Sequence, residues 1–336
     1  MLSLRRGTVT AISERVEGLV RLEVDGRPCI AYPRLTGPVG LGDDVVVNVE
    51  AVELGLGSGG FDVLHVNLTR GLGLAPASGA HVMKLPYTSL QHSVRHAEEE
   101  GVGREQLGGL PVVCCSLHSQ LAPVCAGIGP KARVAFVQLQ GGALPVSLSD
   151  AVRALKQHGL LETTVAVGAC VDGDVACVTP ASALAWCAEE GFDVVVCGIG
   201  PGIVGTASTF GHGGLAAATA AAAARALGGS PILVGRISGA DQRERHHGVS
   251  HHLRAVLALA GPVDVAWPEA EGSPTPIDEA VPVPVDGWQE ACASLPLLHM
   301  GRGPADDPWF FAAAFAAGRL ARERLALAGL EGVEPD

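Results

Sequence analysis

Two rhythms of apolar and polar residues divide the chain. Between residues 4 and 68 apolar positions alternate with polar ones in short runs, RGTVTAISE, GLVRLEVDG, RPCIAYPRL, DDVVVNVEAV and FDVLHVNL, broken by turn pairs such as Asp25-Gly26 and Gly42-Asp43. A period of two in short runs marks half-buried strands joined by tight turns. Several such strands in so small a segment predict a β-barrel, OB-like or SH3-like, over residues 1–70. Residues 71–109 lose the rhythm. Gly and Pro punctuate them as far as the helix-like stretch Ser89–Glu100, which predicts a connector.

From Leu110 to residue 336 the pattern changes to an α/β domain. LPVVCCS, RVAFVQL, TTVAVGA, DVVVCGIG, SPILVGRI and PVDVAWP read as strands, and SQLAPVCAGIG, SLSDAVRALKQHG, PASALAWCAEEG, GLAAATAAAAARALGG and SHHLRAVLALAG read as helices between them. This alternation predicts a largely parallel sheet with helices on both faces, a three-layer domain. The near-continuous apolar strands fit a sheet buried on both sides. Residues 262–288 hold six prolines and six acids without a cation and read as an exposed loop. Asp307-Pro308 starts a long C-terminal helix over 308–328. The Ala-rich helix at 213–227 offers a face for a partner helix, hence a homodimer.

Composition narrows the class. The 336 residues are 48% hydrophobic and 17% charged with a net charge of −12, the reverse of a disordered chain. Only Lys84, Lys131 and Lys156 are lysines, and the barrel is poor in aromatics for base stacking, so nucleic acid is not the expected partner. The expected role of the barrel is structural or docking. The longest apolar run, LAAATAAAAA, is too short to span a bilayer, and no signal-peptide core stands at the start, so a cytoplasmic chain without a membrane partner is expected. Nine cysteines, an odd number with no CxxC pair, read as buried structural thiols.

The polar residues then locate a site. In an open α/β sheet ligands bind beyond the carboxyl ends of the strands. The segments that follow the strands are SLHSQ with His118, QGGALP, Asp172-Gly173-Asp174, the Gly-rich Gly198–Thr206, and Arg236–His252. The Asp-Gly-Asp segment reads as a turn. Gly198, Gly200, Gly202, Gly205 and Thr206 can present backbone N–H groups to a phosphate or carboxylate. Gly200-Pro-Gly202-Ile-Val-Gly205 also spells GxGxxG, the fingerprint of a dinucleotide site. Helical character begins only near Gly213, and the next strand ends in Arg236 instead of an acid, which leaves NADP behind a simple anion.

The run 236–254 holds four arginines and four histidines against two acids, a cationic exception in an acidic chain. Arg236, Arg243 and Arg245, with Asp241 as ion-pair partner, fit an anion pocket. His246, His247, His251 and His252 fit a divalent-metal site. Ser250 reads as an N-cap, which puts His251 and His252 in the first helical turn, where the helix dipole disfavours protonation. His118, His247 and His251 are the candidate proton carriers, and His212 is a weaker one. No GxSxG, HExxH or Walker motif occurs.

At these residues the chain resembles a known bacterial family, the domain of unknown function with serial three-eight-six-six. The resemblance rests on RRGTVTAI, AYPRLTGPV, LGLGSGG, HVMKLPYTSLQ, SLHSQLAPV, GPGIVGT and RISGADQRERHHGVSHH, in this order over residues 5–252. It implies a cytoplasmic bacterial protein and brings no activity with it. The residues themselves point to an enzyme of hydrolysis or group transfer on a small anionic, phosphorylated or carboxylated substrate. The alternatives are a non-catalytic ligand-binding or regulatory protein and an NADP-dependent oxidoreductase.

Overall fold

The computed structural model describes residues 2–331 apart from 57, 58, 76 and 102. Residues 57 and 58 of the LGLGSGG run, 76 and 102 of the predicted connector, and 332–336 thus lie outside the described residues. The chain forms two compact units, Met1–Arg95 and His96–Asp336. The division falls inside the stretch read as a connector.

The first unit is a closed five-stranded barrel, β1 (Leu4–Val16), β2 (Leu19–Val24), β3 (Arg27–Ala31), β4 (Asp44–Asn48) and β5 (Asp62–Asn67), in the order β1-β2-β3-β5-β4. Two short helices interrupt it, α1 (Pro33–Thr36) and α2 (Glu50–Glu53). The long β1 closes the barrel because its first part pairs with β4 and its second with β2, with irregularities between Val9/Ala11 and Ile12/Glu14 that turn the strand. Asp25 and Gly26 take positive φ (50° and 73°) in the two-residue β2–β3 turn, as their sequence predicts. Val9, Val20, Leu22, Val24, Val45, Val47 and Leu64 fill the interior. A small hairpin, β6 (Val82–Lys84) with β7 (His92–Val94), also belongs to this unit.

The second unit carries an eight-stranded, all-parallel sheet. In chain order its elements are β8 (Pro111–Cys115), α3 (Leu121–Ile128), β9 (Val134–Leu139), α4 (Asp150–Gln157), β10 (Thr163–Val167), β11 (Val175–Cys177), α5 (Pro180–Glu189), β12 (Val194–Ile199), α6 (Ala216–Ala226), β13 (Ser230–Val234), a small hairpin of β14 (Ile237–Ser238) and β15 (Gly248–Val249), α7 (His251–Ala260), β16 (Asp264–Glu269), β17 (Ala280–Pro284), α8 (Trp288–Cys292) and α9 (Pro308–Glu331). The order across the sheet is β11-β10-β9-β12-β8-β13-β16-β17. Successive strand residues feed opposite cores: Val113, Phe136 and Val196 join α3 and α9 on one face, while Val112, Val137 and Val195 join α5, α6 and α7 on the other. This two-sided burial is why the strands read as unbroken apolar runs.

Two expectations change. Residues 262–288 are not all loop, because they contain β17 as an edge strand. Val283 and Val285 point into the core while Pro282 and Pro284 alternate with them on the exposed side. An edge strand has one side without a neighbour, so it tolerates residues that cannot donate. The Ala-rich face of α6, read as a dimer surface, is covered within the chain: Ala217, Ala220, Ala221 and Ala224 pack in the core shared with α5 and α7.

The nine cysteines are all free and buried. No helix among the described residues is long and apolar enough to cross a membrane.

Candidate functional site

Strands β8 and β12 are neighbours in the sheet, yet they lead to helices on opposite faces, α3 and α6. Chains that leave adjacent strands in opposite directions open a crevice at the carboxyl edge, the usual ligand position of this architecture. The structure distributes the predicted residues unevenly around it.

His118 sits at that crevice as a tie. Its Nδ1–H donates to the Ile199 carbonyl at 3.0 Å, and Nε2 is left to accept from Ser149 Oγ at 2.6 Å. Ser149 is also the N-cap of α4, accepting from Val152 N. Both ring nitrogens are therefore occupied by the end of β12 and the start of α4. Burial lowers its pKa to about 4, against the opposing pull of the Ile199 carbonyl, so the ring is neutral at pH 7.

The glycines make close backbone contacts. Gly198 lies within β12, opposite Cys115 and Gln138. Gly200 is tight because a Cβ there would stand 2.1 Å from the Ala143 carbonyl oxygen, and one on Gly142 would stand 2.2 Å from that of Gly200. Two amides of the segment are engaged, Val204 N donating to Gly141 O and Thr206 N to Gly211 O, while its Pro201 carbonyl accepts from Ala143 N. Gly202 takes positive φ in open space, and Gly205 bridges to His212. Helical structure resumes only at Gly213–Leu215. The Gly-rich segment is thus a close backbone contact with residues 141–143, and no helix N-terminus follows it to receive a dinucleotide pyrophosphate.

The run 236–252 gathers most of the rest. The hairpin β14–β15 brings its two ends together, with Ser250 N donating to the Arg236 carbonyl at 3.0 Å. Ser250 caps α7 by accepting from His252 N, and His251 and His252 occupy the first turn as their sequence predicts. His246 comes back over this turn, its Nδ1 2.8 Å from Ser250 Oγ. The rings of His246, His251 and His252 stand 4.4 to 4.8 Å apart between centroids. His212, from the segment before α6, stacks on His252 at 3.5 Å. His247 is exposed and outside the cluster, whereas Arg245, also exposed, stands near enough to His251 to disfavour its protonation.

Arg236 stands beside this cluster with its side chain buried, 4% of the residue exposed, and donates through Nη1 to His252 Nδ1. No carboxylate among the described residues lies within ion-pair distance of it. Burial, then the charge of Arg243, lowers its pKa to about 10. Asp241 is committed elsewhere. Its carboxylate accepts from Arg243 Nε (2.9 Å) and Nη2 (2.8 Å) and from Arg302 Nη2 (3.0 Å). The histidines are pushed toward the neutral form, first by burial and then by the arginines, His252 to about 2 and His246 to about 3. His212 and His251 shift the same way.

Sequence reasoning missed a group from the C-terminal segment. His299 and Arg302 pair across a tight turn in which Met300 and Gly301 take positive φ. This turn sends His299 Nδ1 to within 3.1 Å of Ser119 Oγ, with the ring stacked on Phe310. Arg302 spans Asp241 and the buried Asp307, which also accepts from Ser238 Oγ and Gly239 N. Only Gly301 hinted at a turn there, and a methionine before it is not a residue that turn rules favour at positive φ.

The assembled site holds three arginines, two carboxylates and neutral imidazoles, a set able to bind an anion, carry protons or ligate a metal. A family model with the description Protein of unknown function (DUF3866) matches residues 28–318. No curated protein matches the chain.

Proposed function

The chain belongs to that family of proteins of unknown function, and from its own geometry we propose that it is an enzyme of hydrolysis or group transfer. Its substrate is a small anion, a phosphate or carboxylate compound, held at the carboxyl edge of the parallel sheet.

One observation carries this reading: Arg236 is buried, and among the described residues no carboxylate lies within ion-pair distance of it, Asp241 acting on it only from further off. A guanidinium taken out of water needs compensating charge, and an isolated buried cation is costly. His252 supplies only a neutral acceptor. A bound anion supplies the missing charge and a charge-assisted bond. Arg243 and Arg302 stand near enough to act on the Arg236 charge and are held in place by Asp241.

Neutral imidazoles beside this anion site supply proton transfer. His251 Nε2 is buried without a hydrogen-bond partner and is the candidate acid–base atom. An anion that neutralises the arginines also removes much of the charge that keeps these rings from accepting a proton. Substrate binding would thereby prepare the base.

Calorimetric titration with inorganic phosphate and with a panel of small phosphomonoesters and carboxylates tests the reading, with Arg236→Gln as comparison. The wild type should bind at least one panel member at least 10-fold more tightly than the variant, since a charged hydrogen bond contributes about 1.5–3 kcal/mol. Equal binding by both proteins overturns the anion site. Binding without turnover of any panel ester favours a ligand-binding protein over an enzyme.

A further inference from the structure

We propose that His246, His251 and His252 form a binding site for a divalent transition-metal ion of the zinc class. The inference names a cofactor for the site described above and rests on that reading only for the chemistry the ion would serve.

The donor atoms are already gathered. One ligand-capable nitrogen from each ring lies within 4.8 Å of the other two. The local fold accounts for this. Ser250 caps α7 and so places His251 and His252 side by side in its first turn, and the same hydroxyl receives His246. Three imidazoles with no carboxylate or thiolate in the group favour zinc, cobalt or nickel over magnesium or calcium, which take oxygen ligands. Three protein ligands also leave a further position for water or substrate, the arrangement of catalytic zinc sites.

Each ring presents a lone pair for a physical reason. Ser250 Oγ is placed to accept from His246 Nδ1–H, which leaves the lone pair of His246 on Nε2. Such an outer hydrogen bond commonly fixes the tautomer and orientation of a metal-binding histidine. His251 Nε2 is buried and unpartnered; with the ion bound it serves as a ligand, and the proton transfer assigned to it above passes to a water on the ion. His252 Nδ1 accepts from Arg236, so a positively charged donor already occupies its lone pair.

Arg236 is the competing cation. A metal that takes His252 Nδ1 displaces its hydrogen bond and releases the guanidinium toward an anionic substrate. The ion itself would polarise that substrate or activate a bound water.

The test uses cobalt(II) and zinc(II) alone as probes, on full-length protein first stripped by a chelator. Equilibrium dialysis with metal analysis gives stoichiometry and affinity, and visible absorption reports the cobalt environment. The wild type should hold one ion per chain. His246→Ala and His251→Ala, checked for native circular dichroism, should each bind at least 100-fold more weakly. His247→Ala, outside the cluster, should bind like the wild type. Arg236→Met removes the competing cation and should bind at least as tightly as the wild type.

The proposal is overturned if natively folded His246→Ala and His251→Ala both retain wild-type affinity, or if the wild type holds no ion. Phosphate titration of the same samples keeps the two readings apart. Cobalt bound by a wild type that ignores phosphate leaves the metal site standing and removes the anion site.

Discussion

Arg236 donates to His252 Nδ1, and this bond between a buried cation and a neutral ring takes the place of an ion pair. Two terms compete when Arg236→Met is made without ligand. Removing the donor leaves His252 Nδ1 unsatisfied, at about 1–3 kcal/mol. Removing a buried charge that lacks a counter-ion relieves a desolvation penalty of several kcal/mol. The second term is larger, so the variant should unfold at higher urea concentration than the wild type, by about 1–3 kcal/mol. A clear loss of stability would show that the charge is compensated within the folded chain.

Gly200 and Gly202 separate packing from anion binding. A Cβ at 200 meets the Ala143 carbonyl at 2.1 Å, whereas at 202 it meets nothing within 4 Å and only φ of 69° opposes it. Gly200→Ala should therefore destabilise the fold by about 2–4 kcal/mol through forced backbone movement, and Gly202→Ala by about 1–2 kcal/mol. Thermal unfolding of both variants checks the order. The reverse order would show that the approach of Gly200 to the Ala143 carbonyl can relax and that the backbone angle at Gly202 matters more.

His118 predicts an acid-sensitive step. Its pKa is near 6.5 in the unfolded chain and about 4 in the folded one. Between those values the unfolded state binds the additional proton, so the stability this ring contributes is complete above pH 6.5. It declines as pH falls toward 4, by at most about 3 kcal/mol. The destabilisation caused by His118→Gln should accordingly shrink between pH 7.5 and pH 4.5 in urea denaturation. An equal effect at both values removes the burial argument.

The division of the chain into a barrel and a parallel sheet was legible because both patterns report burial directly: one-sided in β1–β5, two-sided in β8, β9 and β12. Strand β17 was hidden because its prolines lie on the exposed side of an edge, a fact of position that composition does not reveal. At the site, Ser250 and the two histidines after it were readable from local capping rules. Ser119, His299, Arg302 and Asp307 were not, since their meeting depends on contacts between residues far apart in the chain. The same limit explains the glycines. GxGxxG states that the backbone must come close to something, and here that something is another loop.

The crossing of α3 and α9 gives the last test. Gly127 and Gly318 face one another there, and a Cβ on Gly318 would stand 2.0 Å from the Val124 carbonyl oxygen and 2.8 Å from Ile128 N. Alanine is the better helix former by about 1 kcal/mol, so an open position in α9 would gain stability from Gly318→Ala. At this position the new methyl meets backbone that cannot rotate away, and forced separation of two packed helices costs about 1–3 kcal/mol or more. The clash exceeds the propensity gain, so Gly318→Ala should lower the urea midpoint. Gly318→Ser should lower it further, since the larger side chain meets the same backbone without Ala's helix preference. A midpoint that rises in Gly318→Ala would mean that the helices have room to separate and that the glycine pair does not set their distance.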